Sequence, residues 1–195
     1  MSRIAATVVA AALPFSAFAA PESYTLDLYH TITYFEISHF GFTNIRGRFD
    51  KNPGKFVLDR AAKTASLEVA TQTATVTTGD SERGSRPRSR DEHVKSPDFF
   101  NVVEFPTMTF RSTAVKFSGD NPAAIEGNLT LLGVTKPVTL QIEHWKCGPN
   151  PANKKEMCGG IASAVMKRSE WGMKYGIPML GDETKLWMSF EAYKD

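Results

Sequence analysis

Apolar and polar residues alternate with a period of two along most of the chain. In one segment Phe35 and Ile37 alternate with Tyr34, Glu36 and Ser38. The same alternation recurs over residues 45–49, 66–71, 138–143 and 186–191. Strict alternation of this kind predicts strands with one buried face and one solvated face.

Turn-forming residues separate these segments. Clusters of Gly, Pro, Asn and Asp stand at 52–54, 118–122 and 148–151. Short, regularly spaced strands between turns are typical of an antiparallel barrel or sandwich. The pattern therefore predicts an all-β domain.

One connection, residues 78–101, departs from the alternation. It is polar and rich in arginine, and we predict one or two short helices in it, with Ser96-Pro97-Asp98 as a helix start. The arginines could form an anion site. Acidic residues are interleaved with them, however, which favours a solvated linker.

The first nineteen residues are typical of a cleaved secretory signal. Arg3 is followed by an uncharged stretch that closes on Ala17-Phe18-Ala19, the small-x-small pattern of a signal peptidase site. We therefore expect residues 1–19 to be removed and residues 20–195 to form one domain in the periplasm. No later segment is long and apolar enough to be a predicted transmembrane helix.

Charge and cysteine content narrow the choice of partners. The net charge is only +2, of which Arg3 supplies one, so no nucleic-acid partner is indicated. The two cysteines, Cys147 and Cys158, predict one local disulfide in an oxidising compartment. A zinc site would need more ligands than the nearby His144 offers.

Motifs for catalysis are missing from the sequence. There is no Gly-x-Ser-x-Gly, no phosphate-binding loop and no closely spaced histidine pair. The chain does contain 13 Phe and 7 Met. These residues suit either the filled core of a barrel or the lining of a hollow one, and composition alone leaves both open.

Several blocks along the chain are similar to those of the YceI-like family. They cover essentially the whole chain after the leader and run in the family's order. The blocks are Tyr24–Thr31, Phe35–Gly41 with Gly47-Arg48-Phe49, Arg90–Asn101, Phe105–Thr113, Gly127–Val138, Arg168–Met173 and Glu191-Ala192.

This resemblance implies a single eight-stranded, antiparallel, lipocalin-like barrel that is exported to the periplasm. It also implies a protein that holds a polyisoprenoid or a polyprenyl quinone such as ubiquinone, in a family whose members include homodimers. Because catalytic and metal motifs are missing, we expect a non-enzymatic protein with no other cofactor and no metal. The side chains expected to line the lipid tail are Phe35, Ile37, Phe49, Phe110, Leu129, Leu131, Leu140, Met173, Met188 and Phe190.

Two other functions stay open at this point. The first is a filled barrel that acts as an envelope-stress or interaction protein without a lipid. The second is an enzyme acting on a small apolar substrate in the same cavity. The resemblance also places Arg168 at a strand end, where we expect a structural role, pairing with backbone carbonyls or an acidic neighbour.

Overall fold

The computed structural model describes residues 20–195, so the predicted leader lies outside the described residues. These residues form one antiparallel sheet with a single α-helix, α1, at Arg90–Lys95. The strands are β1 Glu22–Leu26, β2 Ile32–His39, β3 Thr43–Phe49, β4 Gly54–Asp59, β5 Thr64–Gln72, β6 Val76–Thr77, β7 Thr107–Ser118, β8 Asn121–Leu131, β9 Val134–Pro149, β10 Glu156–Lys167 and β11 Leu180–Lys194.

Three of the long strands are each divided into two segments by a bend, so these eleven segments make eight long strands. β1 continues into β2 and β3 into β4, while β5 continues into β6 through the 3-10 turn Thr73–Thr75. Each half of the first bent strand pairs with a half of the second, β1 with β4 and β2 with β3. The third follows the same course, since β5 pairs with β4 and β6 with β3.

The last strand closes the barrel. β11 pairs with β10 on one side, and on the other side with β2 over Leu180–Ser189 and with β1 over Ala192–Lys194. β7, β8 and β9 complete the ring between β5 and β10. The predicted eight-stranded antiparallel barrel is thus confirmed, since each long strand of the ring pairs with one neighbour on each side.

A fully buried asparagine holds the bends together. The Asn52 side-chain amide donates to the carbonyls of Thr31 and Phe49, at 2.9 and 2.8 Å. Its oxygen accepts from the hydroxyls of Thr33 and Thr71, both at 2.8 Å. Buried polar groups are tolerated only when they are hydrogen-bonded. Asn52 therefore fixes three long strands to one another where two of them bend.

The connection between β6 and β7 crosses one end of the barrel, and we call residues 78–106 the strap. Its helix α1 begins at Ser89, whose hydroxyl accepts from the Glu92 N–H while the Glu92 carboxylate accepts from the Ser89 N–H. This reciprocal capping box fixes the helix start. The expected start at Ser96 was wrong, because the helix ends there, with the Ser96 N–H donating to the His93 carbonyl.

The strap marks the mouth of the barrel, and the opposite end is closed by packed side chains. At the closed end Tyr24 stacks on Phe56, with ring centroids 4.7 Å apart, among buried neighbours that include Leu58 and Ala192. The predicted Cys147–Cys158 disulfide is present there and joins β9 to β10. Within residues 20–195, no helix has the length and apolar character needed to cross a membrane.

Candidate functional site

Two apolar cavities lie along the barrel interior. The inner cavity, towards the closed end, has a volume of about 100 Å³, and the outer cavity, at the mouth, about 410 Å³. Met108 and Leu186 line both, so these two side chains stand between the inner and the outer cavity. The outer volume lies within the usual range for small-molecule sites, roughly 300–1,000 Å³. The inner cavity is smaller and lies deeper in the barrel.

All ten residues predicted to line the tail border one of the two cavities. Half of them surround the inner cavity, namely Phe110, Leu129, Leu140, Met188 and Phe190. The other half surround the outer cavity, namely Phe35, Ile37, Phe49, Leu131 and Met173. Nine of these residues lie on the inward face of six strands, and Met173 lies in the loop between β10 and β11. Contact of these side chains with a ligand stays a prediction.

Three of the inward phenylalanines lie against glycines of neighbouring strands. A Cβ atom at Gly47 would stand 2.2 Å from Cζ of Phe35, and one at Gly127 would stand 2.4 Å from Cζ of Phe110. A Cβ at Gly160 would meet Cζ of its cross-strand partner Phe190 at 3.0 Å. Because no side chain stands there, each ring can fold over the neighbouring strand. The rings then line the wall and leave space along the barrel axis.

The mouth is polar, and the arginines of the strap are paired with carboxylates. Arg86 donates to both carboxylate oxygens of Asp80 at 2.7 Å, and this hydrogen bonding lowers the pKa of Asp80. Arg88 donates to Asp98 at 2.8 Å and lowers the pKa of that carboxyl in the same way. These pairs agree with a linker of interleaved charges rather than a free cluster of arginines. These ion pairs surround an apolar opening.

Arg168 is buried below the strap, where it borders the outer cavity. Its guanidinium donates to the carbonyls of Met173, Tyr175, Leu180 and Gly181, at distances of 2.8 to 3.1 Å. Burial lowers the pKa of this guanidinium, while a nearby carboxylate acts in the opposite direction. The four bonds gather the loop between β10 and β11 around one side chain, which is the structural role expected from the sequence.

The sequence did not identify several lining residues. Val94, Phe99 and Phe100 of the strap cover the outer cavity, and they were missed because the strap lacks the strand period that marks inward positions. Met108 and Leu186 follow the period and could have been found from it. Trp145 lines the inner cavity, and its Nε1 is buried without a hydrogen-bond partner among the described residues.

One group of possible metal ligands lies on the outer face of the barrel, and none of its members lines either cavity. Asp27, His30 and Glu191 each offer one ligand atom, all within 4.8 Å of one another. The His30 Nδ1 lies 2.9 Å from Asp27, and this hydrogen bond raises the pKa of the exposed imidazole. The contacts are explained by an ion pair at the β1–β2 bend, so this group is not part of the candidate site.

Comparison with known proteins decides the family. A model of the YceI-like domain matches residues 24–192. This range includes every strand of the barrel, apart from the first two residues of β1 and the last two of β11. The chain belongs to the YceI-like family. The predicted family membership is thereby confirmed.

Relatives of similar length share this YceI-like domain. A UPF0312 protein of Pseudomonas aeruginosa strain LESB58 is 37% identical over 166 residues, covering 85% of this chain and 82% of the relative. The protein YceI of Salmonella arizonae is 35% identical over 164 residues, covering 84% and 81%.

Solved structures show the same YceI-like barrel. The Campylobacter jejuni YceI protein superposes with a TM-score of 0.64 at 26% identity, covering 82% of this chain and 90% of its own. A polyisoprenoid binding domain from Saccharophagus degradans, implicated in plant cell wall breakdown, has a TM-score of 0.63 at 13% identity and covers 89% and 99%. At that identity the likeness concerns the fold.

Proposed function

We propose that this protein is a periplasmic carrier that holds one long-chain isoprenoid lipid, a polyprenyl quinone such as ubiquinone, inside the barrel. The observation that carries the proposal is the apolar path from the mouth through the outer cavity into the inner one. A linear chain of methyl-branched isoprene units would extend along the two cavities, past Met108 and Leu186. Membership of the YceI-like family and the polyisoprenoid binding domain of the same fold support this choice of ligand.

The energetics favour a tail in this path. Each buried CH₂ equivalent contributes about 0.8 kcal/mol before ordering costs. Residues such as Phe110, Met108 and Leu186 present no polar groups that a tail would leave unpaired. The head group belongs at the mouth, where Arg86, Arg88 and His93 supply polar contacts.

Binding rather than catalysis is proposed because the interior offers packing surface. In the lining of the inner cavity the polar side chains are few, and the hydroxyls of Thr33 and Thr71 already donate to Asn52. At the mouth, the Asp80 and Asp98 carboxylates are engaged by arginines. Such groups hold the architecture together and are poorly placed to act on a substrate.

An obstruction experiment tests the proposal. Ala162 is buried on β10 and lines the inner cavity, whereas Val165 on the same strand is 60% exposed and points outwards. In Ala162→Phe a benzyl group enters a volume of about 100 Å³. We expect the delipidated variant to lose affinity for a long polyprenyl quinone while it still binds a short-chain quinone. Val165→Phe is the matched control and should bind both as the wild type does.

The result has two clear readings. Selective loss of the long-chain ligand supports a tail in the inner cavity. Equal binding of the long-chain quinone by the wild type and by folded Ala162→Phe would show that no tail enters there. The thermal stability of both variants should be measured alongside, since overpacking a filled core would lower the stability of Ala162→Phe.

A further inference from the structure

Three apolar side chains are exposed beside the mouth of the barrel. Phe42 is 94% exposed, Met179 60% and Phe40 45%. They belong to two segments that touch, because the Phe40 N–H donates to the Met179 carbonyl at 2.8 Å. We call these three side chains the mouth rim. Single exposed apolar residues are common on proteins, but a group of three at the entrance to an apolar cavity requires an explanation.

The backbone holds the mouth rim outwards. Phe40 and Gly41 adopt left-handed conformations with φ of 53° and 73°, and the Phe42 N–H donates to the His39 carbonyl. This tight turn joins β2 to β3 at the end of the barrel. The residues on either side of it, His39 and Ile45, line the outer cavity. The turn therefore positions an exposed aromatic ring a few residues from the lining of the opening.

An open groove runs alongside the rim. It is lined by Phe42, by polar residues of β3 and by two arginines, Arg46 and Arg90, and it shares Ile45 with the outer cavity. Among the residues that line the groove, the ionisable side chains are His39, Arg46 and Arg90, and none is acidic. Arg90 donates to the hydroxyl and the carbonyl of Thr78 and lies 3.9 Å from Asp80, so Arg46 has more donors free for a further anion. Arg46 binds Glu36 at 2.6 Å with one nitrogen, yet its side chain stays 74% exposed, so further donors face solvent.

We infer that the mouth rim and this groove form a docking surface for the phosphate-bearing surface of a lipid bilayer. Phe42, Phe40 and Met179 would enter the interfacial region, where aromatic and apolar side chains gain free energy by leaving water. The groove arginines would bind lipid phosphates, which accept charge-assisted hydrogen bonds from guanidinium groups. The barrel would then stand with its mouth on the membrane.

Membrane docking extends the proposed function, and its biological purpose rests on that function. A polyprenyl chain resides in a bilayer, and passage through water would expose the apolar surface that the barrel buries. Docking at the mouth lets the chain pass between membrane and barrel without that exposure. The surface itself can be measured without any ligand, so the two claims can fail separately.

Vesicle flotation tests the surface directly. Wild-type protein is mixed with vesicles of phosphatidylethanolamine and phosphatidylglycerol, and the bound fraction is compared with that of Phe42→Ser and Met179→Ser. Removing an inserted side chain should weaken partitioning about tenfold for each substitution. The melting temperature should not change, since both side chains lie in water.

Tyr29→Ser is the matched control. Tyr29 is also an exposed aromatic residue, at 81%, but it lies in the β1–β2 bend, where the Asp27 N–H donates to the Glu191 carbonyl. Along β11 that position is roughly 35 Å from Leu180 at the mouth. Tyr29→Ser should float with vesicles as the wild type does. Added salt should weaken binding to these vesicles more than binding to vesicles of phosphatidylcholine alone, because screening acts on the arginines.

A second measurement follows the transfer of a polyprenyl quinone from these vesicles into delipidated protein. Phe42→Ser should slow the transfer about tenfold and leave the final occupancy unchanged, because Phe42 lines neither cavity. Slow transfer with full occupancy supports docking at the mouth.

Two results would overturn the inference. One is equal flotation of the wild type, Phe42→Ser and Met179→Ser. The other is a wild type that does not float but self-associates through Phe42, as sedimentation would reveal. If flotation depends on Phe42 but the protein never takes up an isoprenoid, the docking surface is supported and the carrier function is contradicted.

Discussion

The ring of Phe35 lies over the backbone of its cross-strand partner Gly47. A Cβ atom at Gly47 would stand 2.2 Å from Cζ and 2.5 Å from Cε1 of that ring, and 3.0 Å from the Thr77 carbonyl oxygen. The glycine thus allows an aromatic side chain to cover the wall beside the outer cavity. The residue type at position 47 on β3 therefore affects the volume that stays open within the barrel.

Gly47→Ala should therefore displace the Phe35 ring. We expect a loss of about 1–3 kcal/mol in the free energy of unfolding, as is typical of overpacking, together with lower occupancy of the outer cavity. Phe35→Leu provides room for the new methyl group, so the double variant should recover part of the loss. Chemical denaturation of the four proteins gives the coupling energy. Additive effects would mean that the ring does not depend on the glycine.

Arg168→Met should lower the melting temperature strongly. The substitution leaves four carbonyls without their common donor, and the cost of buried unpaired acceptors is about 1–3 kcal/mol each before water enters. The lipid content of the folded fraction should stay that of the wild type. Arg168→Lys, which keeps the charge but not the geometry, should recover only part of the stability. A variant that is as stable as the wild type but empty would place Arg168 in the head-group site instead.

The disulfide should be complete in protein produced in the periplasm. Cys147 and Cys158 are bonded, and the protein has no free cysteine among residues 20–195. Thiol titration of the denatured, unreduced protein should find no thiol, whereas two free thiols would contradict this. Replacing both cysteines with serine should cost about 3 kcal/mol, or less because Pro149 and Pro151 already restrict the loop.

The strap should depend on the ionised form of Asp91. Burial alone would raise the pKa of this carboxyl, but hydrogen bonds from Thr78 and Thr77 outweigh burial and hold the pKa below its usual 3.8. A lowered pKa in the folded state stabilises the fold above the unfolded value, and this stabilisation is lost as the pH falls through the folded value.

Asp91→Asn should consequently be less stable than the wild type at pH 7, by about 2 kcal/mol. The difference should persist down to about pH 4 and disappear in more acidic solution. Thermal unfolding of both proteins over that range provides the measurement. A stability difference that does not change with pH would show that the carboxylate charge does not hold the strap.

The all-β class could be predicted because alternation reports which side chains face inwards, and the family resemblance implied the eight-stranded barrel. Phe35, Leu140 and Phe190 lie in alternating segments and were placed on the inner face by the period, since a strand turns successive side chains to opposite sides. The bends could not be predicted in this way. Asn52 is a turn-forming residue by composition, and only the three-dimensional arrangement brings it against Thr33 and Thr71.

The strap and the mouth depend on contacts that no local period encodes. Phe99 and Phe100 cover the cavity because α1 and the following turns fold back over it, while the sequence suggested a helix start at Ser96. The family resemblance implied a class of ligand, but the division of the interior into a larger outer and a smaller inner cavity became visible only in the structure. The exposure of Phe42 likewise follows from a turn whose direction the sequence does not state.

The most direct test of the carrier proposal is native mass spectrometry of protein purified from the periplasm, followed by extraction and identification of any bound lipid. We predict a substantial fraction of protein with one long-chain isoprenoid, a polyprenyl quinone, and we predict that delipidated protein takes up the same lipid. Folded protein that contains no apolar ligand, and that does not bind a polyprenyl quinone when it is offered, would contradict the proposal and favour a barrel that acts through its surface.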